Sequence, residues 1–109
     1  MNKYRNKKVQ VDMYVFDSIA ESRRYKELKL LEKAGKIQNL ELQPKFLLQE
    51  AFKKNGKTFR KIEYIADFKY TENGKIIVED VKGIQTDVFK LKHKLFEKIY
   101  PELELRIIK

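Results

Sequence analysis

The sequence predicts an α/β or α+β fold of two or three layers, and three observations carry that expectation. Two segments have helix punctuation: Ser18 with Glu21 three residues on, and Thr86-Asp87, closed respectively by Gly35 and Pro101. Between them lie runs of β-forming residues separated by the hairpin dipeptides Asn55-Gly56 and Asn73-Gly74. The composition is 42% hydrophobic with seven Phe and six Tyr, which is that of a chain with a core and not of an unfolded basic tail.

Taken in order, residues 9–16 alternate Val9, Val11 and Met13 with other residues and read as a short strand or hairpin. Ser18 opens a helix that runs to about Ala34, with Tyr25, Leu28 and Leu31 as its inward stripe and Ile19 and Ala34 flanking. Glu21 lies on the same side as Tyr25 and Leu28, so it is either a cap folded back on Ser18 or an acid delivered towards a site, and both readings stay open. Pro44 places residues 40–50 at a strand start or an edge strand. Thr58 to Tyr70 is the longest strand candidate, and the Glu72-Asn73-Gly74-Lys75 turn returns the chain antiparallel through Lys75–Val81. A second helix follows to Tyr100, with Val88, Leu91, Leu95 and Ile99 as its expected core stripe. Leu103 to Ile108 forms a last strand.

With 109 residues the chain has room for one domain. Its 25 Lys and Arg against 16 Asp and Glu leave a formal charge of +9, which points to a polyanionic partner, most simply nucleic acid. The absence of cysteine excludes disulfides and thiolate metal sites, and a single His leaves no His/Cys zinc site. No apolar run approaches the ~18 residues needed to span a bilayer and no signal-peptide core follows the first residues, so no membrane association and a cytoplasmic location are expected.

The chemistry concentrates in residues 64–83. Asp, Glu and Lys are costly in buried strands unless paired or metal-bound. Asp80 and Lys82, two apart in an extended segment, point to one face, and Asp67 on the neighbouring strand meets them if the register allows. Asp67 and Asp80, with the Val81 carbonyl as a further ligand, would share a hard divalent ion, expected to be Mg2+, with Mn2+ able to substitute. Lys82 would hold the attacking water and neutralise a pentavalent phosphate. A buried ion-pair network is the competing reading of the same three residues. Alternation turns Glu79 to the opposite face, where it reads as a surface or packing residue.

The order Glu21, Asp67, turn, Asp80-Val81-Lys82 resembles the restriction-endonuclease-like PD-(D/E)XK nucleases. More closely, residues 2–8, Phe16-Asp17-Ser18, Glu21-Ser22-Arg23-Arg24-Tyr25, Leu42-Gln43-Pro44, Tyr64-Ile65-Ala66-Asp67-Phe68 and Val78-Glu79-Asp80-Val81-Lys82-Gly83 are similar to a family of small phage and prophage proteins placed in that superfamily. The resemblance implies a central mixed β-sheet flanked by helices, a single nuclease-like domain over residues 9–109, and Glu21, Asp67, Asp80 and Lys82 as catalytic quartet, with Glu21 a further candidate metal ligand. It also implies phosphodiester hydrolysis, and it leaves open restriction-like, junction-resolving or repair substrates. Ala66 stands where the superfamily's name has Pro.

Phosphate contacts are expected from a basic arm over residues 1–8 (Lys3, Tyr4, Arg5, Lys7, Lys8), from Arg23 and Arg24, from Lys53, Lys54 and Lys57, from Gln85, and from the stripe Lys90, Lys94 and Lys98. DNA is the expected partner, and the narrow footprint of one copy suggests a homodimer. A non-catalytic phage nucleic-acid-binding or partner-regulating protein that keeps the fold is the alternative from another class.

Overall fold

A computed structural model describes residues 7–109. Lys3, Tyr4 and Arg5 lie outside the described residues, while Lys7 and Lys8 are exposed ahead of the first strand. The elements are β1 (Val9–Val11), β2 (Tyr14–Phe16), α1 (Ile19–Lys33), β3 (Gln38–Leu42), β4 (Lys45–Gln49), β5 (Phe52–Lys54), β6 (Lys57–Phe59), β7 (Ile62–Ile65), β8 (Phe68–Glu72), β9 (Lys75–Val81), α2 (Asp87–Ile99) and β10 (Glu104–Ile108). This is an α+β fold whose central sheet is mixed, in the order β10-β9-β8-β3. β9 and β10 pair in parallel, which requires a crossover that α2 supplies, and β8 pairs antiparallel with both β9 and β3.

Local chemistry accounts for most boundaries. Ser18 caps α1, its hydroxyl accepting the Glu21 N–H at 3.1 Å, and Thr86 caps α2 by accepting the Phe89 N–H at 3.1 Å. Asn73 (φ 50°) and Gly74 (φ 78°) take the two left-handed positions of the β8–β9 turn, as a two-residue hairpin loop demands. The segment expected as one strand over Thr58–Tyr70 is broken twice into β6, β7 and β8. At the second break the chain leaves the ladder at Ala66 and Asp67, β7 pairs with β4, and β8 pairs in the central sheet. Three backbone bonds hold that kink: Gln43 N–H to Asp67 O (2.9 Å), Ala66 N–H to Pro44 O (3.1 Å) and Asp67 N–H to Glu79 O (3.0 Å). Pro44, which lacks an N–H, stands at the matching break between β3 and β4, so it interrupts no ladder.

Each face of the sheet has its own core. Phe16, Tyr25, Leu28, Ile37, Phe68, Tyr70 and Ile77 fill the α1 side, and Phe46, Leu48, Tyr64, Ala66, Val78, Phe89 and Phe96 fill the α2 side. Tyr25 and Leu28 are the inward stripe of α1 as expected, with Leu31 partly buried, whereas Ile19 is exposed. The expected stripe of α2 is corrected: Phe89 and Phe96 are buried, while Val88, Leu91 and Ile99 face solvent. The reason is size. Each Phe removes more apolar area than any one of the aliphatics, Leu95 of the expected stripe packs partly buried beside them, and Phe96 sits edge-on to Phe46, centroids 5.0 Å apart, and to Tyr64. Among the described residues no helix is long and apolar enough to cross a membrane.

Candidate active site

β9 is seven residues long, carries β8 on one side and β10 on the other, and is covered on both faces. Alternation along it sends Ile77 and Glu79 to the α1 side and Val78 and Asp80 to the α2 side. Glu79 and Asp80 are therefore buried back to back, at 0% and 3% exposure. Of the two readings of Glu79, surface or packing residue, the structure gives the second: alternation finds its face, and α1 covers that face.

On the α2 side Asp80 Oδ2 accepts a short hydrogen bond from the Tyr64 hydroxyl, and Asp80 Oδ1 lies 3.3 Å from Lys82 Nζ. The Lys82 ammonium also sits over the Phe89 ring, 4.5 Å from its centroid. Burial, then the Asp80 hydrogen bond, push the Tyr64 hydroxyl far above its ordinary range, so it remains a donor. Extending the Phe68–Glu79 register by one residue places Asp67 opposite Asp80. Asp67 Oδ2 accepts the Val81 N–H at 2.6 Å, a bond available because Asp67 stands at the kink outside the ladder. Burial raises the Asp67 carboxyl to about 7, the Val81 bond opposes that rise, and the charges of Asp80 and Glu21 add to it.

Glu21 arrives from the first turn of α1. Its backbone N–H is used by Ser18, and its half-buried carboxyl is raised by burial first and then by Asp17 and Asp80, with Lys82 pulling the other way. The acid thus lies within electrostatic reach of Asp80 and Lys82. A cavity of about 180 Å3 between Glu21 and Asp67 is walled by Tyr14, Phe16, Gln43 and Phe68. A larger, shallower depression of about 560 Å3 lies along α1 beside Tyr25 and Lys29, and none of the quartet lines it.

Among the described residues no three His, Cys, Asp or Glu side chains converge as a ready-made metal cage. The donor set is instead two carboxylates, each with one oxygen committed to a protein hydrogen bond, and an acid nearby. That set suits Mg2+ better than a dedicated cage would, since Mg2+ keeps several waters and takes one or two carboxylates plus phosphate oxygens. The second oxygens, Asp67 Oδ1 and Asp80 Oδ1, would hold such an ion, the latter also 3.3 Å from Lys82 Nζ, and Val81 ends β9 beside them.

The residues expected to contact nucleic acid separate into two groups. Arg23, Lys53, Lys54, Lys57, Gln85, Lys90, Lys94 and Lys98 are exposed. Arg24 is not free to contact phosphate: its Nε and Nη2 donate to the two Glu79 oxygens at 2.8 and 2.7 Å, and Nη1 reaches Glu27 at 3.2 Å. Tyr70 donates to the same Glu79 carboxylate. His93 stacks on Phe89, and its Nε2 lies 3.3 Å from Glu97. From sequence, Tyr64 and Tyr70 read only as β formers and Phe89 is not singled out. The usable signal was position: Tyr64 and Tyr70 each stand three residues from Asp67, the one acid between them.

The molecule is thus an α+β protein with a paired-carboxylate centre at the kink of a mixed sheet. The chain belongs to the family described as Protein of unknown function (DUF1064), whose model matches residues 1–109. Comparison with curated proteins found no match.

Proposed function

We propose that this protein is a divalent-metal-dependent endonuclease of the restriction-endonuclease-like kind, acting on DNA, with Asp67, Asp80 and Lys82 as its reacting centre and Glu21 as a supporting acid. The observation that carries the reading is the convergence of Asp67 and Asp80 from separate strands with Lys82 Nζ 3.3 Å from Asp80. A buried carboxylate, Asp80, and a partly buried one, Asp67, repel side by side, and a largely buried Lys-Asp contact rarely stabilises a fold by itself. A structural role would be served better by one acid than by two.

Asp67 Oδ1 and Asp80 Oδ1 would hold Mg2+ or Mn2+, which when bound polarises the scissile phosphate and lowers the pKa of a coordinated water. The chain's own groups do the positioning. Tyr64 fixes the Asp80 carboxylate through Oδ2 and keeps Oδ1 turned to the site. The Val81 N–H does the same for Asp67. Lys82, steadied over Phe89 and only partly exposed, offers an ammonium to the water and to the negative charge that builds on the phosphate. The Asp17 and Asp80 charges that raise Glu21 suit it to accept or hold a proton at the edge of the site.

The test is incubation of duplex, nicked, flap, four-way-junction and single-stranded DNA, and RNA, with purified protein and Mg2+. Metal-dependent cutting that Asp80→Ala and Lys82→Ala each remove while remaining folded supports the reading. Equal residual cutting by wild type and both variants marks a contaminant, and DNA retention with no turnover in any metal favours a non-catalytic nucleic-acid-binding protein. A homodimer, which would supply two sites for two strands, is checked by sedimentation of the free and DNA-bound protein.

A further inference from the structure

The β5–β6 hairpin has no partner element among the described residues. All six of its strand residues are exposed, and β5 and β6 pack on each other and on no other element among the described residues. An isolated two-stranded hairpin is marginal in water, and this one is held by two local devices. Asn55 (φ 52°) and Gly56 (φ 75°) make a tight two-residue turn, and Phe52 stacks on its cross-strand partner Phe59 with centroids 4.9 Å apart and planes 10° from parallel.

Its charges work against it. Lys54 stands directly opposite Lys57, an unfavourable like-charge pair. Residues 51–61 hold Lys53, Lys54, Lys57, Arg60 and Lys61 and no acid. Among the described residues only Lys61 of these has an ion-pair partner, Glu63 at 3.4 Å, while Lys57 lies over the Phe59 ring at 5.1 Å. A projecting ribbon with uncompensated cations at its tip is stabilised by a polyanion and by little else.

We propose that this ribbon enters the major groove of B-form duplex DNA, with Lys53, Lys54 and Lys57 on the phosphates that border it. The inference rests on the nuclease reading for the kind of partner and adds its form: duplex DNA adjoining the cut. Dimensions choose the groove. Two strands ~4.8 Å apart with side chains on both faces match a major groove ~12 Å wide and exceed a minor groove of ~6 Å. The deep, narrow major groove of A-form RNA would not admit them. A single strand would need a row of open aromatic faces, and here Phe52 and Phe59 spend one face each on the other while Lys57 lies over the Phe59 ring.

The test uses Lys53→Ala/Lys54→Ala/Lys57→Ala in the full chain, without divalent metal so that nothing is cut. Anisotropy titrations compare a short duplex DNA, the same sequence as duplex RNA, and single-stranded DNA across a salt series. The expected result is weaker duplex-DNA binding with the slope of log K against log salt reduced by about 2–3, and less than about a twofold change on the other two. Wild type should protect guanine N7, a major-groove atom, from dimethyl sulfate, and the variant should not. Equal losses on all three ligands, or unprotected N7 under wild type, overturn the proposal. Because the ribbon packs on nothing else, the variant should melt with wild type. Ribbon-dependent duplex binding with no metal-dependent cutting would defeat the nuclease reading alone, and cutting with an unchanged salt slope would defeat this inference alone.

Discussion

Two buried carboxylates on β9, one residue apart, sit in mirror-image settings and do different things. Glu79 on the α1 side and Asp80 on the α2 side each accept from a tyrosine hydroxyl of the preceding segment, Tyr70 and Tyr64, and each faces a cation. The cation decides the outcome. Arg24 closes over Glu79 with two parallel bonds at 2.8 and 2.7 Å, so with Tyr70 both oxygens are used and the pair is finished. Lys82 meets Asp80 through a single contact at 3.3 Å and retains donors to spare. The α2 side has a second, partly buried acid in Asp67, whereas the second acid of the α1 cluster, Glu27, is exposed and already bound to Arg24. One side is a closed ion pair and the other an open site assembled from the same parts.

The comparison breaks first through activity. Lys82→Ala should lower Mg2+-dependent cleavage by roughly 10²–10³-fold, the range for removing one preorganised charge donor, with Asp80→Asn at least as severe. Arg24→Lys, which trades the bidentate clamp for a point charge on the other side, should leave cleavage per folded molecule within about twofold and lower stability instead. A cleavage assay normalised to the folded fraction decides between them. If Arg24→Lys cost as much turnover as Lys82→Ala, the two sides would be one functional unit.

The next largest effect is on stability. Glu79→Ala leaves the partly buried Arg24 with Glu27 as its remaining partner and the Tyr70 hydroxyl without its acceptor, and should cost about 1–3 kcal/mol, read from urea unfolding. The double change Glu79→Leu/Arg24→Leu should recover most of it, since an apolar pair of similar size often replaces a buried ion pair without loss. Recovery in the double variant with wild-type cleavage would identify the α1-side cluster as purely structural.

The contrast also marks how far the residues alone could be read. The two helices, both caps, the Asn73-Gly74 turn and the shared face of Asp80 and Lys82 follow from local rules and were legible, whereas seven strands stand between the helices where three were expected. Those rules concern neighbours in the chain, so the sequence set Asp67 on a strand next to that of Asp80 but left their register open. Glu79 stayed between surface and packing because alternation names a face without saying what covers it, and α1 comes from 55 positions away to do so. Arg24 was assigned to phosphate for the same reason. The core stripe of α2 failed where a helix with apolar residues on two sides offers two faces, and aromatic area chose the one carrying Phe89 and Phe96. The kink at Asp67 needed knowledge of the Gln43-Pro44 break across from it.

The two tyrosines sharpen the contrast at smaller amplitude. Tyr64→Phe leaves Asp80 Oδ2 without its donor and should reduce cleavage about 10–100-fold, the usual cost of losing a group that orients a ligand. Tyr70→Phe removes the corresponding bond from Glu79, which Arg24 still holds, and should cost about 1–2 kcal/mol with cleavage unchanged. Kinetics at saturating Mg2+ beside thermal melts separate the two. Matching effects of the pair on turnover would remove the distinction between a closed and an open side.

The smallest expected effect lies in pH. In metal-free protein the Asp67 carboxyl is raised from its ordinary ~3.9 to about 7 by burial and the neighbouring acids. A group whose folded pKa is raised contributes stability that is complete below its unfolded pKa and is lost as pH climbs through the folded one. Between about pH 5 and pH 8 the metal-free protein should therefore lose a few degrees of Tm, and Asp67→Asn should flatten that loss. Mg2+ needs the carboxylate deprotonated, so its effect on Tm should be slight at about pH 5 and grow towards pH 8, opposite in sign to the metal-free trend. On the α1 side Arg24, raised above its already high range by its bond to Glu79, keeps its charge throughout. Melts of Tyr70→Phe should accordingly run parallel to wild type across this range, and those of Asp67→Asn should not. A Mg2+ increment independent of pH would mean that the ion, if it binds, binds away from Asp67.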